Sequence, residues 1–318
     1  MTLLTLRDIL DQAEAGQYAV GAFNVSDITA ADAVLEAAAS TRSPVIVQTL
    51  AGCSPYSSEA AWWQALRQLI GHYPDVPVTL HLDHGPDPGT CRRAIDAGFT
   101  SVMIDGSLEA DGRTPASLAA NVGVTREVTG FAHAAGVSVE GELGTIGGGE
   151  GGSRAKEIVL ADPEQAAGFV AATGVDALAV AIGTSHGAYK FDHEPGADVL
   201  RLDLIGEIRR RVPGVHLVMH GSSSLPRDLV AEVNAHGGTL PESWGVPMAA
   251  KVQAVAAGIR KINQGMDSHL AFTAAVRKTL AADGDAVDPA TYLRAGRLAM
   301  RDLIAERMSA FGSAGQAR

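Results

Sequence analysis

The chain has 318 residues, of which 46% are hydrophobic and 19% are charged. This composition supplies a large core and excludes wholesale disorder. The formal net charge of −11 argues against nucleic acid or an anionic membrane as a partner. Two cysteines are too few for a disulfide framework, and no segment stays apolar for the length of a transmembrane helix. We therefore expect a soluble, cytoplasmic protein.

Eight short apolar runs alternate with longer Ala-rich stretches along the chain. Most runs are continuously apolar, which is typical of parallel strands covered on both faces. Eight βα units favour a (β/α)₈ barrel with extra C-terminal helices, and we expect residues 1–318 to form one domain. In chain order the predicted strands are Ala19–Phe23, Val45–Gln48, Val78–Leu82, Ser101–Ile104, Val137–Glu140, Ala177–Ala181, Val215–Met219 and Arg260–Ile262.

Helix and loop signals lie between the predicted strands. Asp27 is a predicted N-cap after the first strand, and Asp288 followed by Pro289 predicts the start of a C-terminal helix. Gly144–Ser153 is rich in glycine and predicts a mobile lid after the fifth strand. His236–Pro247 is interpreted as an insertion before the helix that leads to the eighth strand.

Polar residues follow each predicted strand, at the end where (β/α)₈ barrels carry their chemistry. They are Asn24, Gln48, Asp83, His84, Asp105, Glu142, His186, His220 and Asn263. A single barrel histidine is more often a hydrogen-bonded structural residue than a ligand. Three histidines at three strand ends, each followed by glycine, favour a catalytic zinc site with an open coordination position instead.

Two neighbouring features fit the same site. Asp83 immediately precedes His84, so it is interpreted either as an orienting partner of that ligand or as a general base. Asp105 is either a site residue or the cap of the next helix. The Gly/Ser turns that follow His220 and surround His186 favour a phosphate cup, to which Lys190 would add positive charge.

Six motifs resemble those of the class II, metal-dependent fructose-bisphosphate and tagatose-bisphosphate aldolases. They are Gly21-Ala-Phe-Asn-Val25, His81-Leu-Asp-His-Gly85, Met103-Ile-Asp-Gly-Ser107, Glu140-Gly-Glu-Leu-Gly144, Ala181-Ile-Gly-Thr-Ser-His-Gly-Ala-Tyr-Lys190 and Met219-His-Gly-Ser-Ser223. The resemblance covers nearly the whole chain. It implies a homodimer or homotetramer that acts on a sugar phosphate.

The resemblance also implies a role for particular residues. Zn²⁺ would be held by His84, His186 and His220, with Asp105 and Glu142 at a secondary metal site. Asp83 would exchange the proton of the C4 hydroxyl, and Glu150 would shuttle the carbon-bound proton. A monovalent cation, Na⁺ or K⁺, often accompanies the donor phosphate in the family. The implied substrate contacts are Asn24, Gly187, Lys190, Gly221, Ser223 and Asn263.

Five positions depart from the family pattern, and three of them concern the phosphate at the far end of the substrate. Leu50 replaces a frequent serine, and His269 and Ala290 replace arginines, which clamp phosphate with two parallel hydrogen bonds. We expect all three to line the aldehyde end of the site. The departures therefore favour a ketose 1-phosphate other than fructose 1,6-bisphosphate, such as a sulfonated one, that yields dihydroxyacetone phosphate. Gly265 and Met266, which replace an acceptor and a hydroxyl of the family, leave unphosphorylated dihydroxyacetone as a further candidate donor.

Three other functions remain as alternatives. The nearest is ordinary fructose-bisphosphate aldolase activity with other phosphate contacts. A zinc hydrolase on the same fold is disfavoured because the chain lacks an early His-x-His pair, and water-dependent product formation would identify it. A non-catalytic metabolite-binding barrel is disfavoured by Asp83 and Glu150, and metal-dependent turnover would exclude it.

Overall fold

The computed structural model describes residues 3–109, 111, 113–146, 148–150, 153–155, 158–186, 191, 193–196 and 199–317. Parallel strands close into an eight-stranded barrel in which each strand lies beside the next barrel strand of the chain. The barrel strands are β1 Val20–Asn24, β2 Val45–Leu50, β3 Val78–Gly85, β4 Ser101–Ile104, β5 Ser138–Leu143, β8 Ala177–Val180, β9 His216–Met219 and β10 Ile259–Gln264. The antiparallel strands β6 Gly148–Glu150 and β7 Ser153–Ala155 form a hairpin after β5.

Helices connect the strands and surround the barrel in the described part of the chain. They are α1 Leu6–Gly16, α2 Ile28–Thr41, α3 Glu59–Ile70, α4 Pro88–Asp96, α5 Leu118–Ala134, α6 Pro163–Thr173, α7 Leu202–Arg211, α8 Arg227–Ala235, α9 Met248–Ala257, α10 Met266–Ala282 and α11 Pro289–Ala310. No helix in the described ranges combines the length and apolar character needed to cross a bilayer.

The predicted (β/α)₈ barrel is confirmed, and every predicted strand lies on a barrel strand. The strands differ from the prediction mainly at their C-terminal ends, where β2, β3, β5 and β10 continue through polar residues. The backbone of Asp83, for example, still pairs with Leu50 of β2. A polar side chain does not end a barrel strand, because it points into the barrel mouth while the backbone keeps its ladder hydrogen bonds.

Polar side chains inside the barrel lie in layers, because residues two apart on a strand point to the same face. His81 and Asp83 lie two residues apart on β3, so their side chains share the interior face. Glu140 and Glu142 on β5 have the same relationship. The barrel interior therefore carries one polar layer at its C-terminal mouth and a second one directly below it.

The opposite end of the barrel is closed by α1. Apolar residues at a helical spacing, Leu6, Ile9, Leu10 and Ala13, give this helix one buried face. They pack against an apolar layer from the strand starts, formed by Val20, Ala22, Ile46, Ala177, Ala179 and Val218. The N-terminal end of the barrel is therefore a packed core, remote from the polar mouth.

Helix caps fall where the sequence predicts them. The Asp27 carboxylate accepts hydrogen bonds from the backbone N–H groups of Thr29 and Ala30 at 2.8 and 3.0 Å. Asp288 accepts from the N–H of Ala290 at 3.0 Å and starts α11. This last helix packs against α2 and α10 on the outside of the barrel, with Met300 buried. The segment predicted as an insertion, His236–Pro247, contains no helix and pairs with Phe191 through one β-bridge.

We expect Ile9→Ala to destabilise the barrel without slowing the chemistry at the other end. Removing a fully buried isoleucine from the α1 core costs about 2–5 kcal/mol, whereas Ile9→Val costs only about 0.5–1.5 kcal/mol. Denaturant midpoints measure the loss, and kcat measured well below the unfolding temperature should match that of the parent protein. A large drop in kcat in folded Ile9→Ala would show that the two ends are coupled.

Candidate metal centre

Three buried imidazoles meet at the C-terminal mouth of the barrel. His84 lies near the end of β3, while His186 and His220 follow β8 and β9. These residues are 5%, 4% and 0% exposed, and their ring centroids lie 4.9 to 5.8 Å apart. One ring nitrogen of each lies within 4.8 Å of the others. The structure therefore brings together the three histidines that the sequence singled out.

The backbone at His84 is held in an uncommon conformation. Its φ is 44°, in the left-handed region that residues other than glycine rarely adopt. The β3–β4 ladder shifts register here, because Leu82 pairs with Val102 but Gly85 pairs with Ile104. One extra residue in β3 makes a bulge, and bulges re-aim side chains beside active sites. The strained backbone therefore turns the His84 ring towards the other two imidazoles.

The nitrogen arrangement fits a zinc ion. His220 donates its Nε2–H to Glu140 at 2.7 Å, and His84 donates its Nδ1–H to Asp105 at 3.0 Å. The remaining nitrogens, His220 Nδ1 and His84 Nε2, lie 3.2 Å apart, and when both rings are neutral each has a lone pair available to a metal. Two ligands of a tetrahedral zinc ion with Zn–N bonds of 2.0–2.1 Å stand roughly 3.3 Å apart. The spacing of these two nitrogens therefore fits two ligands of one zinc ion.

A second cluster with metal-binding chemistry shares His84. It adds Asp105 and Glu142, whose ligand atoms lie within 4.8 Å of each other and of His84. Burial and the neighbouring Asp105 raise the pKa of Glu142 well above its usual value. Although burial opposes ionisation of Asp105, hydrogen bonds from His84 and Ser107 lower its pKa to about 2. A cation here would relieve the repulsion between the two carboxylates.

Three side-chain amides hold Asp83 beside the histidines. Asn24 and Gln48 donate to Oδ2 at 2.7 and 3.0 Å, and Asn263 donates to Oδ1 at 3.1 Å. Burial works against the charge, but His84 and His220 outweigh it and lower the pKa of Asp83. The result is an oriented carboxylate that can accept a proton. Sequence reasoning assigned no role to Gln48, although its place at the end of β2 was the available signal.

Small residues after β9 shape the adjoining loop. Gly221 has a φ of +59°, and an added Cβ would lie 2.7 Å from backbone atoms of Ser185, so only glycine fits without displacement. Ser223 is buried, and Asp267 fixes the next turn by accepting from the N–H groups of Ser224 and Leu225. Gly187 and Lys190 lie outside the described residues. Glu150 ends strand β6.

Leu50, His269 and Ala290, which replace residues of the family pattern, do not all lie at the same site within one chain. Leu50 pairs with Asp83 in the β2–β3 ladder. The His269 ring, in the first turn of α10, hydrogen-bonds to the backbone of Asn24, while burial lowers its pKa. Ala290 is exposed in the first turn of α11, on the outside of the barrel. Leu50 and His269 therefore border the site, and Ala290 faces solvent.

Comparisons with known proteins agree with this barrel and its histidine cluster. A model of the family described as fructose-bisphosphate aldolase class-II matches residues 4–316. The fructose-bisphosphate aldolase of Nostoc sp. is 48% identical over 100% of this chain and 92% of the relative. That of Pseudomonas aeruginosa is 46% identical over 100% and 93%. The chain belongs to the class II fructose-bisphosphate aldolase family, and it is a metal-dependent carbon–carbon lyase.

A solved structure shows the same architecture. The YdjI aldolase of Escherichia coli K12 matches with a TM-score of 0.76 at 27% identity, over 99% of this chain and 100% of that one. The family resemblance inferred from the sequence motifs is therefore confirmed. So is the expectation that the chain is a metal-dependent aldolase.

We expect His84→Ala to lose most of its bound zinc, because the change removes a member of both metal-binding clusters. Metal content measured by atomic emission after gel filtration checks this. His72→Ala, at an exposed histidine after α3, is the matched control and should keep the metal of the parent protein. Circular dichroism should show a folded barrel for both variants. A full zinc complement in His84→Ala would contradict its assignment as a ligand.

Proposed function

We propose that this chain is a zinc-dependent aldolase that reversibly cleaves fructose 1,6-bisphosphate into dihydroxyacetone phosphate and glyceraldehyde 3-phosphate. The observation that carries the proposal is the full-length similarity to proteins named fructose-bisphosphate aldolase, at 48% identity in Nostoc sp. and 46% in Pseudomonas aeruginosa. We further propose that residues 1–318 act as one barrel domain in the cytoplasm.

A second candidate substrate is a ketose 1-phosphate with a different group at C6. Leu50, His269 and Ala290 favour it, because none of them offers the guanidinium fork that grips a dianionic phosphate. The relatives that match the whole chain, however, are named fructose-bisphosphate aldolase. Fructose 1,6-bisphosphate, an alternative from the sequence alone, is therefore the first candidate substrate.

Asp83 is the proposed acid–base group of the reaction. Carbon–carbon cleavage requires loss of the proton on the C4 hydroxyl, and synthesis requires its return. A buried ionised carboxylate whose two oxygens are fixed by Asn24, Gln48 and Asn263 can accept that proton at a defined place. The amides also prevent Asp83 from turning away to become a metal ligand.

The proposed metal centre lies beside this carboxylate. His84, His186 and His220 would hold Zn²⁺, which polarises the substrate carbonyl and stabilises the charge that develops during cleavage. Asp105 and Glu142 would complete the secondary metal site with His84. Glu150 is proposed to carry the proton to and from the carbon of the donor, from its position in the β6–β7 hairpin.

We propose that the other residues singled out in the sequence contact the two ends of the substrate. Gly221 and Ser223, together with Gly187 and Lys190, would surround the donor phosphate with a monovalent cation, Na⁺ or K⁺. Asn24 and Asn263 would contact the substrate beside Asp83. Leu50, His269 and Ala290 would line the aldehyde end. A homodimer or homotetramer would allow the exposed Ala290 to face a neighbouring subunit's site.

We expect Asp83→Asn to lower kcat roughly 10²–10⁴-fold while zinc content stays that of the parent protein. The amide cannot accept the hydroxyl proton, and the histidine cluster is unchanged. Coupled-enzyme assays of cleavage and metal analysis give the two readouts. Asp75→Asn, at an exposed carboxylate, is the control and should change neither. Near-normal turnover by Asp83→Asn would assign proton transfer to another group.

Fructose 1,6-bisphosphate is expected to be cleaved with kcat/KM in the usual enzyme range of about 10⁴–10⁸ M⁻¹s⁻¹. It should be preferred to fructose 1-phosphate and to a C6-sulfonate analogue, because the second phosphate contributes binding energy. Activity should disappear on prolonged chelation and return with zinc.

The reversed preference, with the sulfonate analogue cleaved faster at equal concentration, would support the second candidate substrate. The double variant His269→Arg/Ala290→Arg sharpens the comparison. In an ordinary bisphosphate aldolase it should leave kcat/KM for fructose 1,6-bisphosphate within about tenfold of the parent. If the aldehyde end is rebuilt for another group, the two restored guanidinium clamps should raise that value roughly 10²–10⁴-fold.

A further inference from the structure

A second layer of ionisable side chains lies one step below the metal centre. His81, Glu140 and Lys261 precede Asp83, Glu142 and Asn263 by two residues on β3, β5 and β10, so each pair shares the interior face of its strand. All three side chains of the lower layer are 0% exposed. No role in binding the substrate or the metal accounts for a carboxylate and an ammonium group at that depth.

Glu140 connects this lower layer to the metal centre. Its Oε1 accepts the Nε2–H of His220 at 2.7 Å. That hydrogen bond fixes the imidazole as the tautomer whose Nδ1 lone pair faces His84. Carboxylates that accept from metal-bound histidines both orient the ring and make it a better ligand.

Lys261 balances the charge of Glu140. Its Nζ lies 2.8 Å from Oε2, the oxygen that does not contact His220. An isolated buried carboxylate is costly, so an anion at this depth needs a nearby cation. His81 does not supply one, because burial and the adjacent Lys261 lower its pKa to about 3 and leave it neutral. His81 instead hydrogen-bonds to Ser101 at 2.8 Å.

We propose that Lys261 and Glu140 form a pair of positioning residues for zinc: Lys261 supplies the countercharge that lets Glu140 act as a buried anion, and Glu140 orients His220 as an Nδ1 ligand. The inference rests on the proposed zinc centre. Lys261 thus acts on the metal through two intervening side chains. A purely structural ion pair would instead affect unfolding and leave the zinc affinity of the folded protein unchanged.

The test measures zinc dissociation constants of purified full-length variants by competition with a chromophoric chelator. Lys261→Met and Glu140→Gln keep side-chain size and remove one charge each, and each should weaken zinc binding about 10–100-fold. The double variant restores net neutrality to the layer. It should bind zinc no more weakly than Glu140→Gln alone, because Lys261 has no anion left to balance.

Lys251→Met is the matched control, because it also removes a buried lysine. Lys251, on α9, donates to Gln264 at 3.4 Å and lies 3.9 Å from Asp267. We expect this variant to lose stability but to keep the zinc affinity of the parent protein. Equal losses of affinity in Lys251→Met and Lys261→Met would mean that any buried lysine matters, and the proposal would be wrong.

Two further results would refute the role of Lys261 and Glu140 as positioning residues. One is an unchanged zinc affinity in Lys261→Met. The other is a further loss of affinity of tenfold or more when Lys261→Met is added to Glu140→Gln. If Lys261→Met does not fold, the comparison of Glu140→Gln with the double variant still gives that answer. A parent protein that binds no zinc refutes the proposed metal centre itself, whereas zinc binding that the variants leave unaltered refutes only the positioning pair.

Discussion

The burial of charge at the barrel mouth is the constraint on which the site depends. Carboxylates and imidazoles are packed there out of contact with water, and each needs a partner in a place that the strands allow. Amides satisfy Asp83, Lys261 balances Glu140, and the cluster around His84 is left for a cation. Chemistry and electrostatic balance therefore use the same side chains, because an unpaired group would be too costly to keep.

The polar site and the apolar core that stabilises the barrel lie at opposite ends of the strands. Apolar residues of α1 fill the N-terminal end, and the interior becomes polar only in the layers nearer the mouth. The backbone ladder runs unbroken through both regions except at the β3 bulge and at one irregularity between β9 and β10. Polar side chains can thus be exchanged near the mouth while the opposite end keeps the barrel closed.

The barrel and the upper layer of the site could be predicted from sequence, because both follow local rules. Continuous apolar runs mark buried parallel strands, and residues such as His84 and Asp105 follow strand ends. Glu140 and Lys261 carry no such mark, since both lie within the predicted strands and the partner of each is set by barrel closure. Glu140 and His220, for example, are 80 residues apart. The substrate could not be predicted from such local rules either. Ala290 is exposed, so what it contacts depends on how the subunits assemble.

The bulge at His84 limits how this metal site can be moved to another protein. Copying three histidines onto the strand ends of a different (β/α)₈ barrel would leave one ring misdirected, since a regular β3 would not turn it inward. The transplant also needs the extra residue, the left-handed backbone at position 84 and a glycine after it, where an added Cβ would lie 2.5 Å from the carbonyl oxygen of Met103. A designer must therefore graft the whole β3–β4 edge.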